Sequence, residues 1–496
     1  MSSHDATTDV GGAAAGNAGA DQRSEGPPVA FIIYVVLLAG LTFAMFQPIE
    51  SELVAVAAIG MLFVMLAMRM PVAIAMALPG ALGIWATRGW SAATRSLTEI
   101  PFSSVSGWSL SVLPMFIFMG LVLWRSGATT VMYEASRQWL GWLPGGLAIT
   151  TNFTGAGLAA ASGSTVGITY ALGRIGVPEM LKAGYDRRLS VASVLMAGTG
   201  GQLIPPSILL VIYAGITQIG VGQQLLAGFL PGVLLAVAFG VMILALVTVF
   251  PKLAPRQVEG MVTPTWQGRW SSAARTWPIP LLVLIVIGGL YAGVFTATEA
   301  GAFGALGAII MALSYLGLKD FWSALRLALQ GTVASVGSIM FLLMGAVFFN
   351  RLIVVSGAAS WFAATIDELG LGRVGFLLAL IVLYLVLGMF MDPIGMMLVT
   401  VPILMPALRV LEIDLLWFGV FVVLLAELSI LTPPVGILAY VMHTIVKDPE
   451  VNRGVDISLG DIFVGALWFI PISVVVLIIL IAFPDFVTWL PETMRR

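Results

Sequence analysis

Apolar residues run along this chain in long blocks separated by short polar stretches. Blocks at roughly 29–46, 53–68, 71–87, 110–124, 190–214, 225–249, 278–295, 297–316, 333–349, 416–442 and 460–482 predict helices that cross a membrane. Two regions, 143–176 and 374–408, break the pattern. Each is small and apolar with a polar interruption midway, at Ser162-Gly163-Ser164-Thr165 and at Met391-Asp392-Pro393. Each half is short for a span of about 20 residues, so both regions read as re-entrant hairpins with tips near mid-membrane.

The run from Leu189 to Ile216 would be one helix but for glycines at 198, 200 and 201, Gln202 and Pro205-Pro206. Proline removes a backbone donor and clashes with the preceding turn. In hydrocarbon, the freed backbone groups need protein, a cavity or a ligand. Leu431-Thr432-Pro433-Pro434 repeats the break in the run 416–442.

The repetition is wider than the breaks. Gly80-Ala81-Leu82-Gly83 returns as Gly304-Ala305-Leu306-Gly307, and Met115 to Gly120 returns as Met340 to Gly345. Ser126-Gly127-Ala128 returns at Ser356, and Val177-Pro178 at Val401. Leu203 to Pro206 returns at Leu431. Five pairs in order at nearly one offset predict a duplication. Five full spans separate corresponding points, and an odd number inverts orientation, so inverted repeats are expected. The expected units are a disordered tail (1–28), an extra helix and loop (29–52), a first repeat (53–250), a linker (251–277) and a second repeat (278–490).

Composition sets the class. Of 496 residues, 59% are hydrophobic and 10% charged, against about a quarter charged in soluble domains. The chain reads as an all-α polytopic membrane protein. A net charge of −2 gives no reason to expect nucleic acid. The absence of cysteine excludes disulfides, thiolate metal sites and a Cys nucleophile, and two histidines, His4 and His443, are too few for a His-based metal site. There is no nucleophile–base pair or nucleotide-binding loop, so a membrane-embedded enzyme is disfavoured and an ion gradient or another chain must supply energy. Loops 177–189 and 250–277 carry Lys182, Arg187, Arg188, Lys252, Arg256, Arg269 and Arg275 and read as cytoplasmic; 350–372 and 409–415 read as external. Parity puts the N-terminus in the cytoplasm and the C-terminus in the periplasm.

Symmetry brings both tips and both breaks to the bilayer centre. Hydroxyls of Ser162, Ser164 and Thr165, and carbonyls around Gly198 to Gln202, are hard oxygen donors that suit Na⁺. Asp392, Glu427, Ser429 and Thr432 are offered from the other side. Helix N-termini at Ser164, Pro205, Pro393 and Pro433 aim positive potential at the same centre and suit a carboxylate. The helix-break residues Gly163, Gln202, Pro205, Pro206, Ser207, Glu427, Pro433 and Pro434 are expected beside the substrate. Structural readings stand next to these. Membrane Ser and Thr commonly bond their own helix. Asp392 before Pro393 has the form of an N-cap. Glu299 in Thr296-Ala297-Thr298-Glu299 suits a helix start.

Taken in order, several motifs resemble one family, the large membrane (M) subunit of tripartite ATP-independent periplasmic (TRAP) transporters. They are Ser162-Gly163-Ser164, Met180 to Tyr185, Gly198 to Tyr213, Ala227 to Gly232, Phe295 to Gly301, Met389 to Pro406 and Glu427 to Gly436. Similarity covers about residues 53–490. The resemblance implies sodium-coupled uptake of a small organic acid such as a dicarboxylate. It implies a periplasmic substrate-binding (P) protein and a small membrane (Q) subunit as partners, in the bacterial inner membrane. It implies an elevator-type motion of hairpins and broken helices, with 53–87, 225–249, 278–316 and 460–482 mainly in the scaffold. Carried over, the sodium ligands are Ser162, Ser164, Gly198 and Thr199, then Asp392, Ser429 and Thr432. Ile168 is apolar where the family often has a polar residue, and Ser429 stands where glycine is usual. A stand-alone sodium/carboxylate symporter of the same inverted-repeat class is the alternative.

Overall fold

The computed structural model describes residues 29–255, 265–433 and 436–494. The tail expected at 1–28, part of the linker, and Pro434 lie outside the described residues. The described chain is helical. α1 (Val29–Met45), α2 (Ser51–Ala67) and α3 (Val72–Arg88) answer the first three apolar runs. α4 (Trp90–Ser103) is followed by a single 3₁₀ turn (Trp108–Ser111) and α5 (Val112–Arg125). Gly127, at φ +81°, then turns the chain, and α6 (Ala128–Leu140) leaves α5 at 70°. α7 (Gly146–Ser162) and α8 (Thr165–Lys182) flank the first expected tip. α9 (Arg187–Gly201) and α10 (Ile208–Thr217) are the first broken helix, and α11 (Val221–Val249) closes the half.

The second half repeats this order with one change. Within the expected linker stands α12 (Trp266–Thr276), bent by 51° from α13 (Pro278–Tyr291). α14 (Ala297–Tyr315) starts with a capping box in which the Glu299 carboxylate accepts from the Thr296 N–H, the structural role open to it in the sequence. α15 (Leu318–Ser356) is one 39-residue helix where the first half has α4 and α5. It contains no proline, whereas Pro101 and Pro114 punctuate the earlier segment. α16 (Ala358–Glu368), α17 (Arg373–Leu387) and α18 (Pro393–Val410) lead to the second broken helix, α19 (Leu415–Ser429) and α20 (Ile437–Ile445). α21 (Pro449–Asn452), α22 (Leu459–Ala482) and α23 (Asp485–Glu492) complete the chain.

Fewer helices are of full membrane length than the eleven apolar runs suggest. Among the described residues, five helices are long and apolar enough to cross alone, and two bent pairs would make seven. The reason is local: α1, α2 and α3 have 17 residues each, and the runs 190–214 and 416–442 are each cut in two by their breaks.

Burial singles out two helices. Every residue of α9 from Leu189 to Gly201, and of α19 from Trp417 to Ser429, is buried. A helix enclosed on all sides needs no polar face. α9 is enclosed by α7, α8, α11 and α22, and α19 by α11, α17, α18 and α22. Contacts between the halves come in exchanged pairs: α3 packs on α15 and α14 on α5; α8 on α20 and α18 on α10; α9 on α22 and α19 on α11. The duplicated glycines sit in the first of these. A Cβ at Gly80 would lie 2.7 Å from the Phe348 carbonyl carbon, and one at Gly304 would lie 2.5 Å from the Met119 sulfur. Small residues let membrane helices approach this closely.

Candidate functional site

Each tip is a helix start held by a side-chain cap. At the first, α7 ends at Ser162, Gly163 takes φ +58°, and the Ser164 hydroxyl accepts from the Gly167 N–H at 3.3 Å. A Cβ at Gly163 would come within 2.7 Å of the Pro206 carbonyl oxygen, so the tip lies against the first break. At the second, one Asp392 carboxylate oxygen accepts from the Ile394 and Gly395 N–H groups, both at 3.1 Å. This is the N-cap form that the sequence allowed. Tyr384 and Thr400 share a hydroxyl hydrogen bond that ties α17 to α18.

The first break begins later than the glycines suggest. α9 stays helical through Gly198, Thr199, Gly200 and Gly201, and only Gln202 to Ser207 lie outside helix. Enclosure by α7 and α8 keeps the glycine stretch wound, because its small residues let those helices close in. Thr199 is turned inward: its hydroxyl donates to Met196 O and Leu195 O, and its carbonyl accepts from the Gln202 N–H. Ser207 caps α10 by accepting from the Leu210 N–H at 3.2 Å. At the second break, Ser429 donates to Ala426 O and Thr432 to Ser429 O, so both hydroxyls serve local backbone. Pro433 lies in the turn between α19 and α20, and the Ser162 side chain lies outside the described residues.

Tips and breaks meet around a cavity of about 540 Å³. Gly163, Ser164 and Thr165 line it from the first tip, and Asp392, Pro393 and Ile394 from the second. Gln202, Ile208 and Leu209 come from the first broken helix, Glu427 and Ile430 from the second. Gly198, Thr199, Pro205, Pro206, Ser207, Ser429, Thr432 and Pro433 are not on its wall. At its buried end the Thr165 hydroxyl donates to the Glu427 carboxylate at 2.8 Å. Glu427 is 2% exposed, and no described basic side chain pairs with it. The lining holds two carboxylates, Asp392 and Glu427, and no Lys, Arg or His.

Two kinds of site residue escaped the sequence reading. Thr169 on α8 is fully buried with an unpartnered hydroxyl, and a Cβ at Gly198 would lie 2.5 Å from that oxygen and 3.1 Å from the Thr165 carbonyl oxygen. The side-chain oxygen of Gln202, a residue the sequence does single out, is also buried and unpartnered. Buried oxygens without donors call for water or a cation. Elsewhere on the wall, α15 contributes Ser335 and Ser338, and α5 and α6 add Trp124 and Thr129. Their signal in the sequence is weak, since a serine on an apolar helix normally bonds its own backbone, as Ser338 does to Ala334 O.

Known proteins of similar sequence are transporter permeases. The chain is 30% identical over 405 residues to the C4-dicarboxylate TRAP transporter large permease protein DctM of Pseudomonas aeruginosa, covering 80% of this chain and 90% of that one. It is 28% identical over 443 residues to the ectoine TRAP transporter large permease protein TeaC of Halomonas elongata, covering 87% and 97%. Among solved structures it shares its fold with the YdaH transporter of Alcanivorax borkumensis, at TM-score 0.52, 16% identity and coverage of 81% and 88%. It also resembles MtrF of Neisseria gonorrhoeae, at TM-score 0.55, 13% identity and coverage of 94% and 96%. Residues 59–486 match the family described as the tripartite ATP-independent periplasmic transporter, DctM component. With its cavity built from two capped tips and two broken helices, the chain belongs to that family, as the large membrane subunit of a TRAP transporter and not an enzyme.

Proposed function

We infer that this subunit carries a small organic acid across the bacterial inner membrane, coupled to sodium. The acid is delivered by a periplasmic binding protein, and a small membrane subunit acts as partner. The observation that carries the reading is the charge of the cavity. An anion entering a space with Asp392 and Glu427 and no basic side chain is attracted only by the helix starts at Ser164 and Pro393, against two acidic groups. Cations bound at the two acidic groups would offset them, which favours coupled entry. The unpartnered oxygens of Thr169 and Gln202, with Thr165, Ser164 and the two carboxylates, are the donors that would receive sodium.

The exchanged helix pairs support inverted repeats, since a two-fold axis in the membrane plane produces such reciprocity. They also refine the moving body of an elevator. α11 packs on α7, α10 and α19, and α22 on α9 and α20. Asp461 at the start of α22 holds Arg187 and Arg188 at the start of α9, at 3.2 and 2.9 Å. α11 and α22 thus travel with the tips instead of standing in the scaffold, and α3, α5, α14 and α15 form the static wall. The N-terminus is cytoplasmic and the C-terminus periplasmic on the loop charges.

The cargo is an acid of the kind carried by the dicarboxylate relatives. A second reading is favoured by the same two carboxylates: a cargo carrying its own positive group, as the relative named for ectoine suggests. Uptake into proteoliposomes holding this subunit and its small partner is the test. Import of an organic acid should require both an inward sodium gradient and added binding protein. Import at equal rate without either would overturn the reading.

A further inference from the structure

The cavity is acidic where Glu427 lies, and an arginine stands behind its wall at Trp124. Its buried end holds Glu427 and Thr165; its open end runs past Val166, which is 48% exposed, to Trp124 on α5. There Trp124 meets Tyr170 of α8 edge-on, with ring centroids 6.4 Å apart. Each ring carries a guanidinium. Arg125 lies 4.9 Å over Trp124, and Arg174 lies 5.5 Å from the Tyr170 ring. Arg174 is neutralised by the Asp448 carboxylate. Among the described residues Arg125 has no carboxylate partner.

A guanidinium laid on an aromatic face keeps its N–H edges free and its position fixed, which suits bidentate binding of a carboxylate. We propose that Arg125, stacked on Trp124, is an anion-docking point at the cavity mouth, taking the carboxylate of the cargo as it leaves past the Trp124–Tyr170 contact. The inference deepens the reading of an anionic cargo and rests on it for direction, the mouth being cytoplasmic. A carboxylate at the buried end is held only while cations offset Asp392 and Glu427. Once they leave, the anion's electrostatic energy falls toward Arg125, which draws it outward. A helix-end arginine can also serve only as an interfacial anchor complementing the α5 dipole, and the experiment must separate the two.

The chain has no cysteine, so Val166→Cys supplies a single thiol. Val166 lies one turn from Tyr170 on the same face of α8, just inside the mouth. The full chain in inside-out and right-side-out vesicles is labelled with two impermeant thiosulfonates of equal size, one an ethylsulfonate and one an ethyltrimethylammonium. With Arg125 present, the anionic reagent should gain over the cationic one. Arg125→Gln should lower the anionic-to-cationic rate ratio about tenfold, the scale on which local charge alters encounter rates. Arg125→Lys should keep part of the ratio, because it retains charge without the stacked fork. An unchanged ratio in Arg125→Gln overturns the docking point, and so does a wild-type ratio in Arg125→Lys, which would leave charge alone at work. Labelling only from the external face would instead overturn the sidedness of the proposed function and leave the role of Arg125 to be read from the ratio.

Discussion

At the first tip the chain turns at Gly163 and caps α8 with the neutral Ser164; at the second it turns at Met391 and caps α18 with the acidic Asp392. The breaks differ in the same sense. The first offers the amide of Gln202 to the cavity, the second the carboxylate of Glu427. Among the residues lining the cavity, acidic side chains thus come from one half only. The one described side-chain bond joining a tip to the opposite break, Thr165 to Glu427, pairs a hydroxyl donor with a carboxyl acceptor. The lesson is a division of labour: the first half supplies neutral oxygens and the second supplies the charge that a cation would answer.

The sharpest way to break this comparison is at Glu427. Removing Glu427 leaves the buried Thr165 hydroxyl without its acceptor, at a cost of about 1–3 kcal/mol, roughly ten- to a hundredfold in an equilibrium constant. Glu427→Ala should cut sodium-driven uptake by that order, measured as initial rate per molecule in the membrane. Glu427→Gln keeps an acceptor for Thr165, so it isolates the charge. Uptake at the wild-type rate in Glu427→Gln would reduce the residue to a hydrogen-bond partner. A smaller effect is expected at Asp392. Asparagine caps a helix about as well as aspartate, so Asp392→Asn should leave the thermal midpoint in place. The sodium concentration for half-maximal uptake should rise roughly tenfold, as when a contact of about 1.4 kcal/mol is lost. An unmoved sodium dependence would make Asp392 a cap and nothing more. The smallest effect separates two threonines of the first half. Thr169→Val removes an oxygen with no internal partner, and Thr199→Val removes one already bonded to its own helix. The former should weaken the sodium dependence severalfold, within the range of about 1 kcal/mol of a single hydrogen-bonding group. The latter should leave it alone, and equal effects would contradict the placement of the two side chains.

Much of the architecture is legible in the sequence because proline and glycine act locally. Pro205-Pro206 announces a break whatever surrounds it, and Ser164 and Asp392 before helical runs announce caps. The extent of the break is not legible. Gly198 to Gly201 stay wound because α7 and α8 close around them, and that enclosure depends on residues distant in sequence. The same holds for hydroxyl direction. Thr169 and Thr199 are alike as letters, and only packing turns one outward from its backbone and the other into it. The full length of α15 was also hidden, since Lys319, Asp320 and Arg326 give its first turns a loop-like composition. The Trp124–Tyr170 contact shows only in the fold, because it joins α5 to α8.

The exchanged packing of α3 with α15 and of α5 with α14 has a consequence for how the protein is made. When the ribosome has finished the first half, the surface around Gly80 has no neighbour, because Phe348 and Phe349 have not yet been synthesised. The first half can then assemble only in part, with α9 held among α7, α8 and α11 while the Gly80 face of α3 waits for its partner. The packing that joins the halves then forms late, through contacts remote in sequence and slow to find. A nascent chain stalled before α14 should be a substrate for membrane quality control, however well its helices have inserted.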